Sequence, residues 1–293
     1  MRTEPPAPQL HPDRNLALEL VRATEAAAIR AVPFIGKGDK NAADGAAVDA
    51  MRSFLATVNF AGTVVIGEGE KDNAPMLYNG EVVGTGRGPE CDIAVDPIDG
   101  TSLTAAGRRN AISMIAASDR GTMLDASSVF YMDKLVTGPD GVGVVDIRKP
   151  VAENIRALAK AKRKDVSELS IGVLDRPRHE GLIDEIRAAG AGTRLLLDGD
   201  VAGGIDAASY EGRIDMCVGI GGSPESAATA CAIKALGGSS RPGWRRRTTT
   251  RRSAAHRRRA RPITSTRRTS CAGDNTFFVA TGVTDGELAS GVR

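Results

Sequence analysis

Apolar positions recur at helical spacing twice within the first sixty residues. Leu16, Leu20, Val21, Ala27 and Ile29 predict a helix capped by Asp13 and stopped before Pro33. Beyond a Gly-Lys-Gly-Asp-Lys-Asn loop at 36–41, Val48, Met51, Phe54, Leu55 and Val58 predict a second helix, beginning at Asp44. The period then changes. Short apolar runs at 63–66 and 93–95 predict buried strands that run directly into acids, Gly67-Glu68-Gly69-Glu70 after one and Asp96-Pro97-Ile98-Asp99-Gly100-Thr101-Ser102 after the other. Strands are predicted again at 112–117 and 129–136, with a Pro-Asp-Gly turn at 139–141.

From residue 151 helix and strand alternate: helices at 151–163, 179–189 and 224–236, strands at 171–174, 195–197 and 216–220. A last apolar strand follows Asp274-Asn275. The expected fold is a layered α/β (α+β) sandwich of two packed halves, 1–160 and 161–293.

The chain has 293 residues, 41% of them apolar and 26% charged, enough for a substantial core. No apolar run approaches the ~18 residues of a membrane span, and the Pro-rich start lacks a signal-peptide core, so a cytoplasmic protein is expected. Four scattered cysteines (Cys91, Cys217, Cys231, Cys271) suggest neither a zinc site nor disulfides, and three histidines (His11, His179, His256) are too few for a histidine-rich metal site. Any metal would be held by oxygen.

The net charge of +3 conceals an uneven distribution: twelve arginines lie between Arg241 and Arg268, in a stretch without Asp or Glu. Removing these twelve from the 39 basic residues leaves 27 against 36 acids, a balance of −9. An acidic body with one basic segment gives no whole-protein argument for binding nucleic acid.

The 96–102 loop carries the clearest chemistry. Its Pro and Gly are expected to force a turn that aims Asp96 and Asp99 at one point, a donor set suited to Mg²⁺ or Mn²⁺, while the amides of Gly100–Ser102 open a helix toward an anion. A solvated Asp-rich turn is the bland alternative. Glu68 offers a further carboxylate. Lys37–Gly45 holds Lys40 four residues before Asp44, which serves either a metal or the helix as its N-cap. Arg176 and Arg178 flank Pro177 in what reads as extended backbone, fit for a second phosphate or for surface ion pairs. The Gly219-Ile220-Gly221-Gly222 turn lacks the Lys-Ser/Thr or Gly-x-Gly-x-x-Gly pattern of a nucleotide loop.

In order along the chain stand Gly-Lys-Gly-Asp-Lys-Asn-Ala-Ala-Asp-Gly, Val-Ile-Gly-Glu-Gly-Glu, Ala-Pro-Met-Leu-Tyr, Val-Gly-Thr-Gly-Arg-Gly and the 96–102 loop. Tyr131-Met132-Asp133-Lys134-Leu135, Arg176-Pro177-Arg178-His179, Asp198-Gly199-Asp200-Val201-Ala202 and Gly219–Glu225 follow. Together they resemble class II fructose-1,6-bisphosphatases, members of the metal-dependent, lithium-sensitive sugar-phosphatase superfamily. The resemblance implies hydrolysis of the 1-phosphate of fructose 1,6-bisphosphate in gluconeogenesis, with Mn²⁺ or Mg²⁺, by a homo-oligomer. A related sedoheptulose-bisphosphatase or inositol-monophosphatase-like activity, or an inactive homologue or basic nucleic-acid-binding protein, is the alternative. By matching position it implies Asp44 and Glu68 on one metal, Asp96, Asp99 and Glu225 on the other, and Lys40 and Thr101 beside the chemistry. Asp99, Gly100, Thr101, Tyr131, Arg176, Pro177, Arg178, Asp198, Gly199, Asp200 and Gly222 are implied for substrate.

The resemblance lapses at 239–272, where no helix or strand period is found. A local reading-frame slip in a GC-rich gene is the expectation there, a basic nucleic-acid-binding arm the competitor. Compared with the family, the C-terminal part reads as truncated.

Overall fold

Helix α1 (Leu16–Ala31) begins where the Asn15 side chain accepts the Ala17 N–H at 3.0 Å. The expected cap, Asp13, lies outside the residues the structure describes, which are 15–67, 77–123, 131–236, 243–247 and 275–293 of a computed structural model. Asn15 does the work because it directly precedes the first helical residue. Helix α2 (Lys40–Leu55), by contrast, starts earlier than the pattern suggested, since Asp39 accepts the Ala42 N–H at 2.9 Å. Asp44 is therefore not a cap; it sits one turn in, on the buried face.

Ala23, Ala27 and Ala31 of α1 and Ala43 and Ala47 of α2 are fully buried in one cluster with Leu20, Met51 and Phe60. Small side chains let the two helices and the sheet beneath approach closely, and each large apolar group so buried contributes about 1.5–3 kcal/mol.

That sheet comprises β1 (Ala61–Ile66), β2 (Val82–Val83), β3 (Glu90–Asp99) and β4 (Ile112–Asp119), with the short helix α3 (Thr101–Ala105) between the last two. Strand β3 outruns its apolar core: it stays in register with β4 to Asp96, slips, and pairs again at Asp99–Ile112. Asp96-Pro97-Ile98-Asp99 is thus a bulged strand end, with the turn delayed to Gly100. Proline is tolerated there because a bulge needs no ladder N–H from it.

The chain then builds β5 (Tyr131–Thr137), α4 (Val151–Lys162), β6 (Ser170–Leu174), α5 (Glu180–Ala188), β7 (Gly192–Leu196), α6 (Val201–Ala208), β8 (Met216–Gly222), α7 (Ser223–Ala235) and β9 (Gly243–Arg247), and ends with β10 (Thr276–Gly282). The second sheet runs β7-β6-β8-β5-β9 and the first β10-β4-β3-β1-β2. The sheets do not divide the chain at residue 160, because β5 belongs to the second and β10 returns to the first. Backbone at 243–247 pairs antiparallel with β5, so a strand does form inside the Arg-rich stretch; its arginines spoil the apolar period without preventing ladder hydrogen bonds. The rest of 239–272 lies outside the described residues, and with it the frame-slip question.

Five layers result. Helices α1 and α2 cover one face of the first sheet, and α4 and α5 cover the outer face of the second. Between the sheets lie α6 and α7, packed by small residues: Ala227 and Cys231 against Ile66 and Ala94, Ala228 and Ala232 against Met114 and Ile205. Cys91, Cys217 and Cys231 are buried thiols, as their scatter suggested.

Candidate active site

Three chain segments converge at this middle layer. The bulge of β3 delivers Asp99, which is 4% exposed and accepts the Val201 N–H at 3.3 Å. The turn before α6 delivers Asp198, Gly199 and Asp200. Gly199 has φ +63°, and a β-carbon on it would stand 2.8–2.9 Å from the Asp99 carboxylate. Only glycine meets both demands. Strand β8 ends in Gly222, whose missing side chain leaves room for Glu225 in the first turn of α7: a β-carbon there would lie 2.1 Å from Glu225 Oε2. That oxygen is buried and accepts no hydrogen bond.

Burial above all, and then the Glu225 carboxylate, push the Asp99 pKa up to about 7, against the pull of Lys134 and the Val201 amide. A buried acid raised in this way by a neighbouring carboxylate marks a site short of positive charge. The oxygen-only donors and the unpartnered Glu225 Oε2 fit a hard divalent cation. Among the described residues no three His, Cys, Asp or Glu side chains gather tightly enough to hold a metal by themselves; Glu68 lies outside those residues. Asp44 and Asp96 are buried at 6% and 9% exposure on α2 and β3, which pack together.

Lys134, on β5, is the functional group that pattern reasoning left without a role. It is 3% exposed and ion-paired with Asp200, and burial lowers its pKa while Glu225 and Asp99 hold it up. The signal in the sequence was a lysine set directly before the apolar pair Leu135-Val136 in a strand.

The arginines do not lie together along extended backbone. Residues 177–179 form a 3₁₀ turn, because Pro177 suits the first position of such a turn. Arg176 reaches back to the Leu197 carbonyl at 2.5 Å and to Asp198 at 2.5 Å, while Arg178 donates to the Ile220 carbonyl at 3.0 and 3.3 Å. Asp198 Oδ2 in turn accepts the Ser102 N–H at 3.0 Å. The anion facing the start of α3 is thus an aspartate of the chain itself, so the expectation of open amides at 100–102 fails at Ser102. Thr101 is the first residue of α3, and Lys40 lies exposed at the start of α2. Tyr131 opens β5, its backbone opposite Gly222.

The family model described as bacterial fructose-1,6-bisphosphatase, glpX-encoded, matches residues 14–293. This chain belongs to that family. It is 43% identical over 296 residues to the fructose-1,6-bisphosphatase 1 class 2 of Escherichia coli K12, spanning 95% of this chain and 87% of the relative. Identity and coverage are the same against the fructose-1,6-bisphosphatase class 2 of Shigella flexneri. A solved chain described as an extragenic suppressor from Pyrococcus furiosus aligns at 14% identity and a TM-score of 0.30, over 65% of this chain and 68% of that one, too distant to bear on the site.

Membership in the bacterial fructose-1,6-bisphosphatase family implies a divalent metal requirement, in keeping with the charge deficit around Asp99 and Glu225. A cavity of about 610 Å³ opens beyond Asp198 and Gly199, bounded by Arg108, Arg109 and Arg194, and touches the carboxylate cluster only through residues 198 and 199. No helix among the described residues is long and apolar enough to cross a membrane.

Proposed function

We infer that this chain is a class II fructose-1,6-bisphosphatase, a phosphoric monoester hydrolase that converts D-fructose 1,6-bisphosphate to fructose 6-phosphate and phosphate. The observation that carries the reading is the buried Asp99 carboxyl set against the buried Oε2 of Glu225, in a chain that the family model matches from residue 14 to its end.

We propose that Asp96, Asp99 and Glu225 hold one Mn²⁺ or Mg²⁺, and Asp44 with Glu68 a second. A bound divalent cation supplies positive charge for the phosphoryl group and lowers the pKa of a water. The chain's own groups do the positioning. Arg176 fixes Asp198, and Lys134 fixes Asp200, so both carboxylates stand ready for sugar hydroxyls. Arg178 and the Tyr131 strand end border the same space and serve the non-reacting phosphate. Gly199 and Gly222 keep the approach to the two acids open, with Gly100 and Pro177 shaping the flanking turns. Thr101 orients the attacking water, and Lys40 balances charge on the transferring group. The setting is a cytoplasmic homo-oligomer.

The deciding experiment is phosphate release by the purified chain across fructose, sedoheptulose and inositol phosphates, after chelation and after return of Mn²⁺ or Mg²⁺. Metal-dependent turnover strongest on fructose 1,6-bisphosphate is expected; preference for another phosphate would reassign the substrate. Sedimentation of the same preparation tests the oligomer.

A further inference from the structure

Strand β8 outlasts its parallel partner. Strand β6 pairs with it only at Ile171–Met216 and Gly172–Cys217, and ends at Leu174. On that flank the backbone of the half-buried Ile220 has no ladder partner. An unsatisfied buried amide costs about 1–3 kcal/mol. The turn that follows β6 supplies what a longer strand would have given. His179 Nε2 receives the Ile220 N–H at 2.8 Å, and the guanidinium of Arg178 donates to the Ile220 carbonyl at 3.0 and 3.3 Å. Two consecutive side chains thus grip both backbone groups of one residue.

The proton on the imidazole is dictated by this arrangement. Nε2 must offer a lone pair to an N–H, so the hydrogen sits on Nδ1, which donates to the Leu174 carbonyl at 2.8 Å. The ring is 1% exposed, and water cannot stand in for it. It lies flush on Gly219, where φ is +144° and a β-carbon would come within 3.2 Å of Cε1 and Nε2. Burial holds its pKa below the ordinary histidine range, opposed by the Leu174 carbonyl and aided by Arg178, Lys134 and Arg176.

We propose that His179 is a positioning residue of the phosphatase: as the neutral Nδ1–H tautomer it fixes Ile220, and through Ile220 the guanidinium of Arg178, so that substrate affinity depends on it. The proposal rests on the reading of Arg178 as a substrate-binding group and goes beyond it. Because Gly221 and Gly222 follow directly, the same grip places the strand end that borders Asp200 and Glu225.

Two measurements on the full chain test this. With only three histidines, two-bond ¹⁵N–¹H spectra of the wild-type protein, compared with His179→Phe, resolve this ring; an Nδ1–H tautomer is expected, and an Nε2–H tautomer overturns the proposal. In steady-state assays at saturating metal, His179→Phe should raise KM for fructose 1,6-bisphosphate about tenfold with kcat nearly kept, and should add nothing in an Arg178→Ala background. An unchanged KM, or full additivity with Arg178→Ala, sinks it. If His179→Phe does not fold, His179→Gln replaces it, with an intermediate KM expected because the amide can restore one of the two bonds. If the wild-type chain releases no phosphate at all, the activity assignment alone fails. Calorimetric binding of fructose 1,6-bisphosphate to the same variants then reads the positioning role, with the same tenfold weakening expected and its absence fatal.

Discussion

Gly199 stands directly over the carboxylate of Asp99, so close that a β-carbon would lie 2.8 Å from Oδ1 and 2.9 Å from Oδ2. Gly199→Ala therefore forces a left-handed alanine, at about 1–2 kcal/mol, and drives Asp99 aside. A displacement of about 1 Å at a reacting centre can cost on the order of a hundredfold. Phosphate release by this variant should fall by that order while its melting temperature drops only a few degrees; undiminished turnover would show that Asp99 does not need its present position.

The raised pKa of Asp99 fixes the sign of a pH effect in chelator-treated protein. Unfolded, the group titrates near ~3.9; folded, it titrates at about 7. Its protonated form thus favours the native state below the lower value, and the benefit is lost as pH rises through the upper one. Thermal scans of metal-free protein from acid to neutral pH should show falling stability across that window. Asp99→Asn should flatten the slope and reduce phosphate release to background. A slope that persists in the variant assigns the effect elsewhere.

Asp215 has the opposite sign. Burial would raise its pKa, but Lys162 at 2.5 Å, the Ser170 amide at 2.9 Å and Lys164 at 3.2 Å outweigh that and lower it. Its contribution is present above the unfolded carboxylate range and disappears as pH falls through the depressed folded value. Asp215→Asn, just before β8 and at the opposite end of that strand from Glu225, should cost about 1.5–3 kcal/mol by urea denaturation and leave KM unaltered.

Asp39 caps the helix that carries Asp44. Asp39→Ala should lower stability by about 1 kcal/mol, and chemical denaturation checks it; a neutral result would mean that tertiary packing alone holds the helix start.

The layered architecture and the acidic loop were legible in the sequence because each leaves a local trace: helical spacing in 16–29 and 48–58, apolar runs ending in Asp96 or Glu68. Boundaries were less so. Asp44 read equally as a metal ligand or a cap, and Asp39 takes the cap, since both are acids near a helix start and only the fold shows which one is buried. The arginines read as a pair because Pro177 suggested extension, whereas its fixed φ serves a turn equally well. The partners of Lys134, Asp200 and His179 stand 66 and 41 residues away, a separation that no pattern encodes. Helix α6 was missed because Gly203 and Gly204 weaken its propensity, although close packing between the sheets demands small residues there.

That middle layer has a consequence for dissection of the chain. Asp200 precedes α6 and Glu225 begins α7, while Asp99 comes from the first sheet and Lys134 from the second. The proposed catalytic centre is a seam, owned by neither flank. Cutting the chain before β5 would part Asp99 from Lys134, Asp200 and Glu225 and strip the first sheet of α6, α7 and β10, so neither piece should show residual hydrolysis when expressed alone.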